Sequence, residues 1–168
     1  MFSGPWQDEQ RDHDAHPPLT RPLVVLAEDD EDTRRVYALI LRHFGYRVEE
    51  ASTGEDAVAL TRAHHPSLVL MDIGLPGLDG FQASRLLKSD SATNGIPLVA
   101  FSARVDSTAD LAGGIPGFDG YILKPVSPRE LVQRVNAYLA LLGSAPEGRR
   151  GDYDDSGDRD QQEHSAHA

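Results

Sequence analysis

Three carboxylates, a hydroxyl and an ammonium stand where apolar runs of this sequence end. Glu28 and Asp29 follow "LVVLA", and Asp72 follows "LVLM". Ser102 and Lys124 end two further runs, "LVAFS" and "YILK". If these runs are parallel strands, their carboxyl ends form one edge of a sheet, and sites in open α/β proteins lie at that edge. The sequence therefore predicts that all five side chains converge on one pocket.

The chemistry of such a pocket depends on what neutralises its acids. Two carboxylates ~4 Å apart repel by about 4 kcal/mol at an effective dielectric near 20. A hard divalent cation relieves this repulsion, and Mg²⁺ suits a site with few protein carboxylates and several waters. A carboxylate beside Mg²⁺, a lysine and a hydroxyl can attack a phosphoryl group, because the cations stabilise charge on its oxygens. The sequence predicts Mg²⁺-dependent phosphoryl chemistry.

Each of these residues also has a purely structural interpretation. The acids at 30–32 fit the first turn of a helix, where the dipole favours negative charge, with Asp30 as the cap. The same interpretation extends to the two acids before them. Asp72 fits a turn, Ser102 fits a helix cap, and Lys124 fits an exposed strand end. The convergence of five such residues on one sheet edge favours the site.

The elements that position these residues alternate between strand and helix. Continuous apolar runs predict buried strands, whereas the mixed run "YRVEEA" predicts an edge strand. The predicted strands are 22–27, 46–51, 67–72, 96–102 and 120–125. The predicted helices are 31–44, one capped by Ser52 or Thr53 and ending before Pro66, 79–89, a short one ending near Ala112, and one capped by Ser127. This alternation predicts a doubly wound α/β sheet with helices on both faces.

Two helices carry detailed predictions. In the first, Val36, Leu39, Ile40 and Phe44 lie on one side at helical spacing, and Gly45 stands where a helix stop belongs. In the last helix, proline follows the Ser127 cap, and a glutamate at 130 completes a capping box. Its predicted apolar face consists of Leu131, Val135, Tyr138 and Leu142, with Val132 and Leu139 beside it.

Composition limits the function classes. The chain has 168 residues, enough for one domain, and a net charge of −11 argues against sequence-independent nucleic-acid binding. It has no cysteine, and no apolar run approaches the ~20 residues of a membrane span. A soluble cytoplasmic protein is expected. Polar composition predicts disordered tails at 1–21 and 143–168, which leaves 22–142 as the domain.

Four motifs together carry a family resemblance. "LAEDDED", "LVLMDIGLPGLDG", "VAFSA" and "GYILKP" occur in this order. Over residues 22–142 the chain resembles the receiver domain of two-component response regulators. The resemblance implies a flavodoxin-like, five-stranded parallel sheet with strand order 2-1-3-4-5.

The resemblance also implies roles for the metal and phosphoryl site. Asp72 matches the phosphoacceptor, and Glu28 and Asp29 match the acidic pair that binds Mg²⁺. The carbonyl of Gly74 matches the backbone metal ligand. Lys124 matches the lysine that pairs with the phosphoryl oxygens, and its bond to Pro125 matches one that is cis in this family.

Further roles concern the switch. Ser102 matches the hydroxyl that bonds the phosphoryl group, and Ala103 matches the small residue beside it. Tyr121 matches the aromatic that turns inward when the hydroxyl moves. Gly74 and Arg104 occupy the positions that flank the attacking water. Arg104 is therefore expected to shield the phosphoryl group and slow its hydrolysis.

The implied function is that of a stand-alone receiver. A histidine kinase or a histidine phosphotransfer protein would supply the phosphoryl group, and an unknown downstream protein would read the outcome or take the phosphate onward. Direct contact with nucleic acid or membrane is not expected. No enzymatic turnover is expected beyond Mg²⁺-dependent self-phosphorylation and dephosphorylation.

The segment "ADLAGGIPG" departs from the family pattern, because its glycines and proline disfavour helix.

Two other functions fit parts of the sequence. Asp30 and Asp32 resemble the acid-x-acid motif of haloacid-dehalogenase-like phosphohydrolases, but Arg34 stands where that family has Thr or Val. An unphosphorylated receiver-like scaffold is the other alternative. The complete acid set argues against it, because a scaffold has no need to gather carboxylates that repel one another.

Overall fold

The computed structural model describes residues 21–103 and 114–143. Within these ranges, strands and helices alternate along the chain. They are β1 (Leu23–Ala27), α1 (Glu31–His43), β2 (Arg47–Ala51), α2 (Gly54–His64), β3 (Leu68–Met71), α3 (Gly80–Ser89), β4 (Leu98–Ser102), β5 (Gly120–Leu123) and α4 (Pro128–Leu142). The tail predictions for 1–20 and 144–168, the helix near Ala112 and the role of Arg104 lie outside the described residues.

The strands form one parallel sheet with the order β2-β1-β3-β4-β5. The predicted fold class and strand order are confirmed, and β2 is an edge strand as its mixed composition indicates. Every residue of β1, β3 and β4 is buried, because helices cover both faces of these strands. One core, centred on Leu26, Leu70 and Phe101, lies under α1 and α4, and the other lies under α2 and α3.

Polar caps begin the four helices of the described ranges. In each case a side-chain oxygen accepts a hydrogen bond from a backbone N–H of the first turn; the caps are Asp30, Thr53, Asp79 and Ser127. Thr53, not Ser52, is therefore the cap of α2. The Glu130 carboxylate, predicted to complete a capping box with Ser127, instead accepts a hydrogen bond from Arg134 Nε at 3.1 Å. In the described ranges, each helix is too short or too polar to cross a bilayer.

The buried face of α1 differs from the predicted one. Val36 and Leu39 are exposed at 55% and 69%, whereas Tyr37, Ala38 and Leu41 are buried. The Tyr37 ring packs edge-on against Phe101, with the ring centroids 4.7 Å apart. Both sets of residues recur every three to four positions, so helical spacing alone does not distinguish them. The smaller Ala38 and the aromatic contact of Tyr37 decide which set faces the sheet.

Candidate functional site

Backbone hydrogen bonds fix three of the predicted site residues at the carboxyl edge of the sheet. The N–H of Glu28 donates to Ala51 O at 3.0 Å, and the N–H of Asp72 donates to Ala27 O at 2.9 Å. The N–H of Lys124 donates to Ser102 O at 3.0 Å. Each bond extends the ladder between neighbouring strands by one step. The predicted convergence of these residues therefore follows from strand register.

Three carboxylates meet at this edge. Oxygens of Glu28, Asp29 and Asp72 lie within 4.8 Å of one another. Glu28 is buried at 3% exposure, Asp72 is half-buried, and Asp29 is exposed. The cluster is thus open on one side, where a hydrated ion or a phosphodonor can enter. Its hard oxygen donors, few in number and partly open to water, fit Mg²⁺.

Lys124 joins the carboxylates. Its ammonium donates hydrogen bonds to Glu28 Oε2 and, at 3.1 Å, to Asp72 Oδ2. The lysine side chain is only 11% exposed, and its Nζ lies 5.2 Å from the centre of the Phe101 ring. Burial works to lower the pKa of Lys124, but the bonds to the two carboxylates outweigh it and raise that pKa. The lysine therefore stays charged beside the phosphoacceptor candidate.

Glu28 is the carboxylate of the site whose charged form is disfavoured by burial. Burial raises its pKa above the ordinary 4.5, and the bond from Lys124 offsets that rise only in part. The neighbouring charge of Asp72 raises the pKa of Glu28 further. A cation bound between these carboxylates would favour their charged forms.

The loop after β3 brings Gly74 to the phosphoacceptor candidate. The N–H of Gly74 donates to Asp72 Oδ1 at 2.9 Å. The far end of the loop is tied to α2, where the Glu55 carboxylate accepts from Leu78 N at 3.0 Å. Gly54 is required at the start of α2, because a Cβ there would lie 1.9 Å from Leu78 O. These contacts hold the loop whose Gly74 carbonyl is the predicted metal ligand.

The predicted switch residues lie on the other side of the phosphoacceptor candidate. Ser102 is buried at 4% exposure at the end of β4, beside an exposed Ala103. Tyr121 is half-buried on β5, where it lies opposite Ala100 in the strand register. The Lys124–Pro125 bond is cis, as the resemblance implies. The structure thus brings Gly74 and Lys124 to the three carboxylates, joins Ser102 to Lys124 through the backbone, and places Tyr121 on the neighbouring strand β5.

Sequence reasoning missed two residues that hold these elements. Arg34 Nη1 donates to the carbonyl of Glu28 at 2.8 Å. The Tyr138 hydroxyl accepts from Tyr121 N at 3.1 Å and donates to Tyr121 O at 3.0 Å. A signal for Arg34 is present in the sequence, because a cation close to a helix N-terminus opposes the dipole. For Tyr138, its apolar position at helical spacing indicates only a core contact.

Comparison with known proteins identifies the family. The model of the response regulator receiver domain matches residues 24–136. Protein PilH of Pseudomonas aeruginosa is 39% identical over 124 residues, which is 73% of this chain and 99% of PilH. The transcriptional regulatory protein AfsQ1 of Streptomyces coelicolor is 37% identical over 118 residues; the match covers 70% of this chain but only 51% of AfsQ1, so the chain spans about half the length of that relative.

A solved structure gives the same assignment. The receiver domain of the sensor histidine kinase PA1611 from P. aeruginosa PAO1, described with a magnesium ion coordinated in its active site cleft, superimposes with a TM-score of 0.64 at 27% identity. The match covers 72% of this chain and 99% of that one. Together with the family model and the identity to PilH, the fold and the acidic cluster show that this chain belongs to the response regulator receiver domain family.

Proposed function

We propose that Asp72 accepts a phosphoryl group from a histidine kinase or a histidine phosphotransfer protein. Receiver domains act in two-component signalling, where a histidine kinase is the type of partner that supplies the phosphoryl group. One observation carries the assignment to Asp72: its carboxylate lies beside the acids Glu28 and Asp29 and accepts a hydrogen bond from the ammonium of Lys124. The alternative phosphohydrolase motif gains no support, because the side chain of Asp30 caps α1 by accepting from Thr33 N at 2.8 Å.

The transfer is a substitution at phosphorus. A carboxylate oxygen of Asp72 forms the new O–P bond while the P–N bond to the donor histidine breaks, and the electron pair leaves with the imidazole nitrogen. Mg²⁺, held by the carboxylates of Glu28, Asp29 and Asp72 and by the Gly74 carbonyl, would supply positive charge beside the transferring group. Lys124 provides a second positive charge within hydrogen-bond reach of Asp72.

Phosphorylation changes which hydrogen-bond acceptors are available to Lys124. In the present structure its ammonium is shared between Glu28 and Asp72. A phosphoryl group adds about −1.5 to −2 charge and strong acceptor oxygens. Lys124, which already donates to Asp72, and the hydroxyl of Ser102 would bind those oxygens. Such a contact biases an equilibrium between two conformations of the β4–β5 side, with Tyr121 as the side chain that reports it.

The output is the binding of a downstream protein, or onward transfer of the phosphoryl group, through the surface formed by β5 and α4. Leu123 on β5 is 41% exposed, and Leu141 on α4 is 76% exposed. The excess of negative charge disfavours nucleic acid as the direct partner. We place the activity in the cytoplasm, without steady enzymatic turnover.

A phosphorylation assay tests the assignment. The protein is incubated with acetyl phosphate and Mg²⁺ and separated on a phosphate-affinity gel. We expect a shifted band that disappears with EDTA and with Asp72→Asn. Asp32→Asn is the matched control, because Asp32 is an exposed acid in the first turn of α1. A shifted band that survives Asp72→Asn, or labelling that EDTA leaves unchanged, overturns the proposal.

A further inference from the structure

Arg34 reaches back from α1 to the peptide that carries the acidic pair. Its Nη1 donates to Glu28 O at 2.8 Å and lies 3.5 Å from Asp29 O. Its Nε lies 3.5 Å from a carboxylate oxygen of Glu50 on β2, and its side chain is only 15% exposed. The guanidinium is therefore anchored to the neighbouring strand while it holds two consecutive carbonyls.

Other hydrogen bonds also hold the turn at Glu28 and Asp29 that Arg34 contacts. The N–H of Glu28 donates to Ala51 O at 3.0 Å, which fixes the start of the turn to β2. The Glu28 carboxylate accepts from Asp30 N at 3.3 Å within the turn. The fork shape of the guanidinium lets Nη1 contact the carbonyls while Nε faces Glu50, which a point charge cannot do equally well.

The location of this cation is costly by two ordinary criteria. A positive charge near the N-terminus of α1 opposes the helix dipole. A positive charge near three carboxylates also competes with a metal ion for their field. A residue that is nearly buried at such a position needs an offsetting role, and the two carbonyl contacts supply one.

We propose that Arg34 is a positioning residue for the metal site. By fixing the Glu28 and Asp29 carbonyls, it holds the two carboxylates of the acidic pair toward Asp72 before any ion arrives. This proposal rests on the proposed function, because it takes the acidic cluster to be the Mg²⁺ site. Loss of groups that orient metal ligands typically lowers metal affinity by about 10- to 100-fold. The expected loss for Arg34→Met is at the lower end, about 10-fold.

Arg42 offers a matched control on the same helix. Its guanidinium also pairs with Glu50, at 2.8 Å, and donates to a backbone carbonyl, that of Val48, at 3.0 Å. Val48 lies in β2 and carries no site carboxylate. Arg42→Met therefore removes the same charge, the same partner and the same type of carbonyl contact, but leaves the acidic turn untouched.

The test is a titration with Mg²⁺ in the absence of a phosphodonor. Binding is monitored through the amide chemical shifts of residues 28–30 and 72–74. We expect the Kd for Mg²⁺ to rise about 10-fold in Arg34→Met and to stay within about twofold of the unmutated value in Arg42→Met. If Arg34→Met does not fold, Arg34→Lys carries the test. It keeps the charge but reaches fewer acceptors, so the Kd should rise severalfold.

Three outcomes overturn the proposal. Unchanged or tighter binding in Arg34→Met means that the guanidinium acts as a repelling charge and not as a support. Equal weakening in both methionine variants means that loss of the Glu50 pairing is responsible. Where Arg34→Lys carries the test, an unchanged Kd for Mg²⁺ in that variant also overturns the proposal. Phosphorylation of Asp72 in the unmutated protein is independent of all three, so failure here is distinguishable from failure of the proposed function.

Discussion

Glu28 and Asp72 lie on one side of the site, and Ser102 and Tyr121 lie on the other. The two pairs of residues are held in different ways. On the metal side, defined by Glu28, Asp29 and Asp72, charged groups bond to strand backbone and to a buried lysine. On the switch side, defined by Ser102 and Tyr121, the groups are neutral and lie at the end of β4 and on β5.

The switch side is held from outside the sheet. Lys124 directs its N–H toward β4, so Tyr121, three residues earlier, directs its backbone groups toward the outer edge. The Tyr138 hydroxyl on α4 bonds both of those groups. Gly120 makes this possible, because a Cβ there would lie 2.2 Å from the Tyr138 ring. A single side chain from α4 thus holds this part of β5.

This difference indicates which part of the molecule can be displaced at a low cost in free energy. On the metal side, a displacement separates buried charges, and breaking a buried ion pair costs about 3–5 kcal/mol. At Tyr121 on the switch side, a displacement of the outer edge of β5 exchanges two neutral hydrogen bonds to Tyr138, each with a net contribution of about 1 kcal/mol. We therefore expect phosphorylation to leave the metal side in place and to rearrange the switch side.

The largest expected effect comes from Lys124→Met, which breaks the metal side. Glu28 is nearly buried, so loss of its cation leaves an unpaired charge beside Asp72. We expect the free energy of unfolding to fall by about 3 kcal/mol in Mg²⁺-free buffer at neutral pH. Urea unfolding measures it, and added Mg²⁺ should stabilise the variant more than the unmutated protein.

Lys88→Met is the control for that variant. Lys88 pairs with Asp119, but the two side chains are 25% and 32% exposed. Solvent screens such a pair, so losing the pair together with the bonds from Lys88 Nζ to Asn94 O and Ile96 O should cost clearly less stability than losing Lys124. If both lysine variants lose the same stability, the metal side is no more tightly held than an ordinary half-exposed ion pair.

The next largest effect comes from Gly120→Ala, which breaks the switch side. The added methyl group displaces the Tyr138 ring, and overpacking of this kind costs about 1–3 kcal/mol. In a Tyr138→Ala background the same change should cost much less, because the ring that it meets is absent. A double-mutant cycle by urea unfolding measures the coupling. Additive effects would show that Gly120 and Tyr138 are not a matched pair.

Tyr138→Phe removes the hydroxyl and keeps the ring. It should lower the free energy of unfolding by about 1–2 kcal/mol, because the backbone N–H and C=O of Tyr121 lose their partner. The amide of Tyr121 should also exchange faster with solvent. Tyr46→Phe is the control, because the Tyr46 hydroxyl also bonds α4, at Asn136, but does not bond Tyr121. Equal acceleration at Tyr121 in both variants contradicts the assignment.

The smallest effect concerns pH and sharpens the comparison. Because burial raises the pKa of Glu28, the folded protein keeps a proton that the unfolded chain loses. In Mg²⁺-free buffer this group therefore lowers stability as pH rises from about 4.5 through its raised pKa. Glu28→Gln should remove that contribution, so the free energy of unfolding should fall less, or rise more, over this range. Glu31→Gln, which changes an exposed acid of α1, is the control. An equal change in the pH dependence of stability in both variants would contradict the assignment to Glu28.

The fold and the site could be predicted to the extent that they depend on neighbours in sequence. Buried strands are continuous apolar runs, and the site residues are the first polar groups after them, so Glu28 and Asp72 could be located from the order of residues alone. The buried face of α1 could not, because Val36 and Tyr37 belong to two stripes of equal spacing. Packing against Phe101 decides between them, and that contact joins two elements far apart in sequence.

The supporting residues were harder to predict for a related reason. Arg34 and Tyr138 act on backbone groups of other residues, and a backbone carbonyl has the same chemistry whichever side chain it carries. Gly120 is visible in the sequence, but its purpose depends on a ring in the following helix. Contacts of this type require the three-dimensional arrangement.

Residue-resolved amide hydrogen exchange, with and without beryllofluoride and Mg²⁺, tests the central claim most directly. Beryllofluoride stands in for the phosphoryl group on Asp72. We predict that the largest changes in exchange fall at residues 102–103 and 118–124 and along α4, while α1 changes little. Changes concentrated on α1, with Tyr121 and Tyr138 unaffected, would contradict the account and place the switch on the other side of the site.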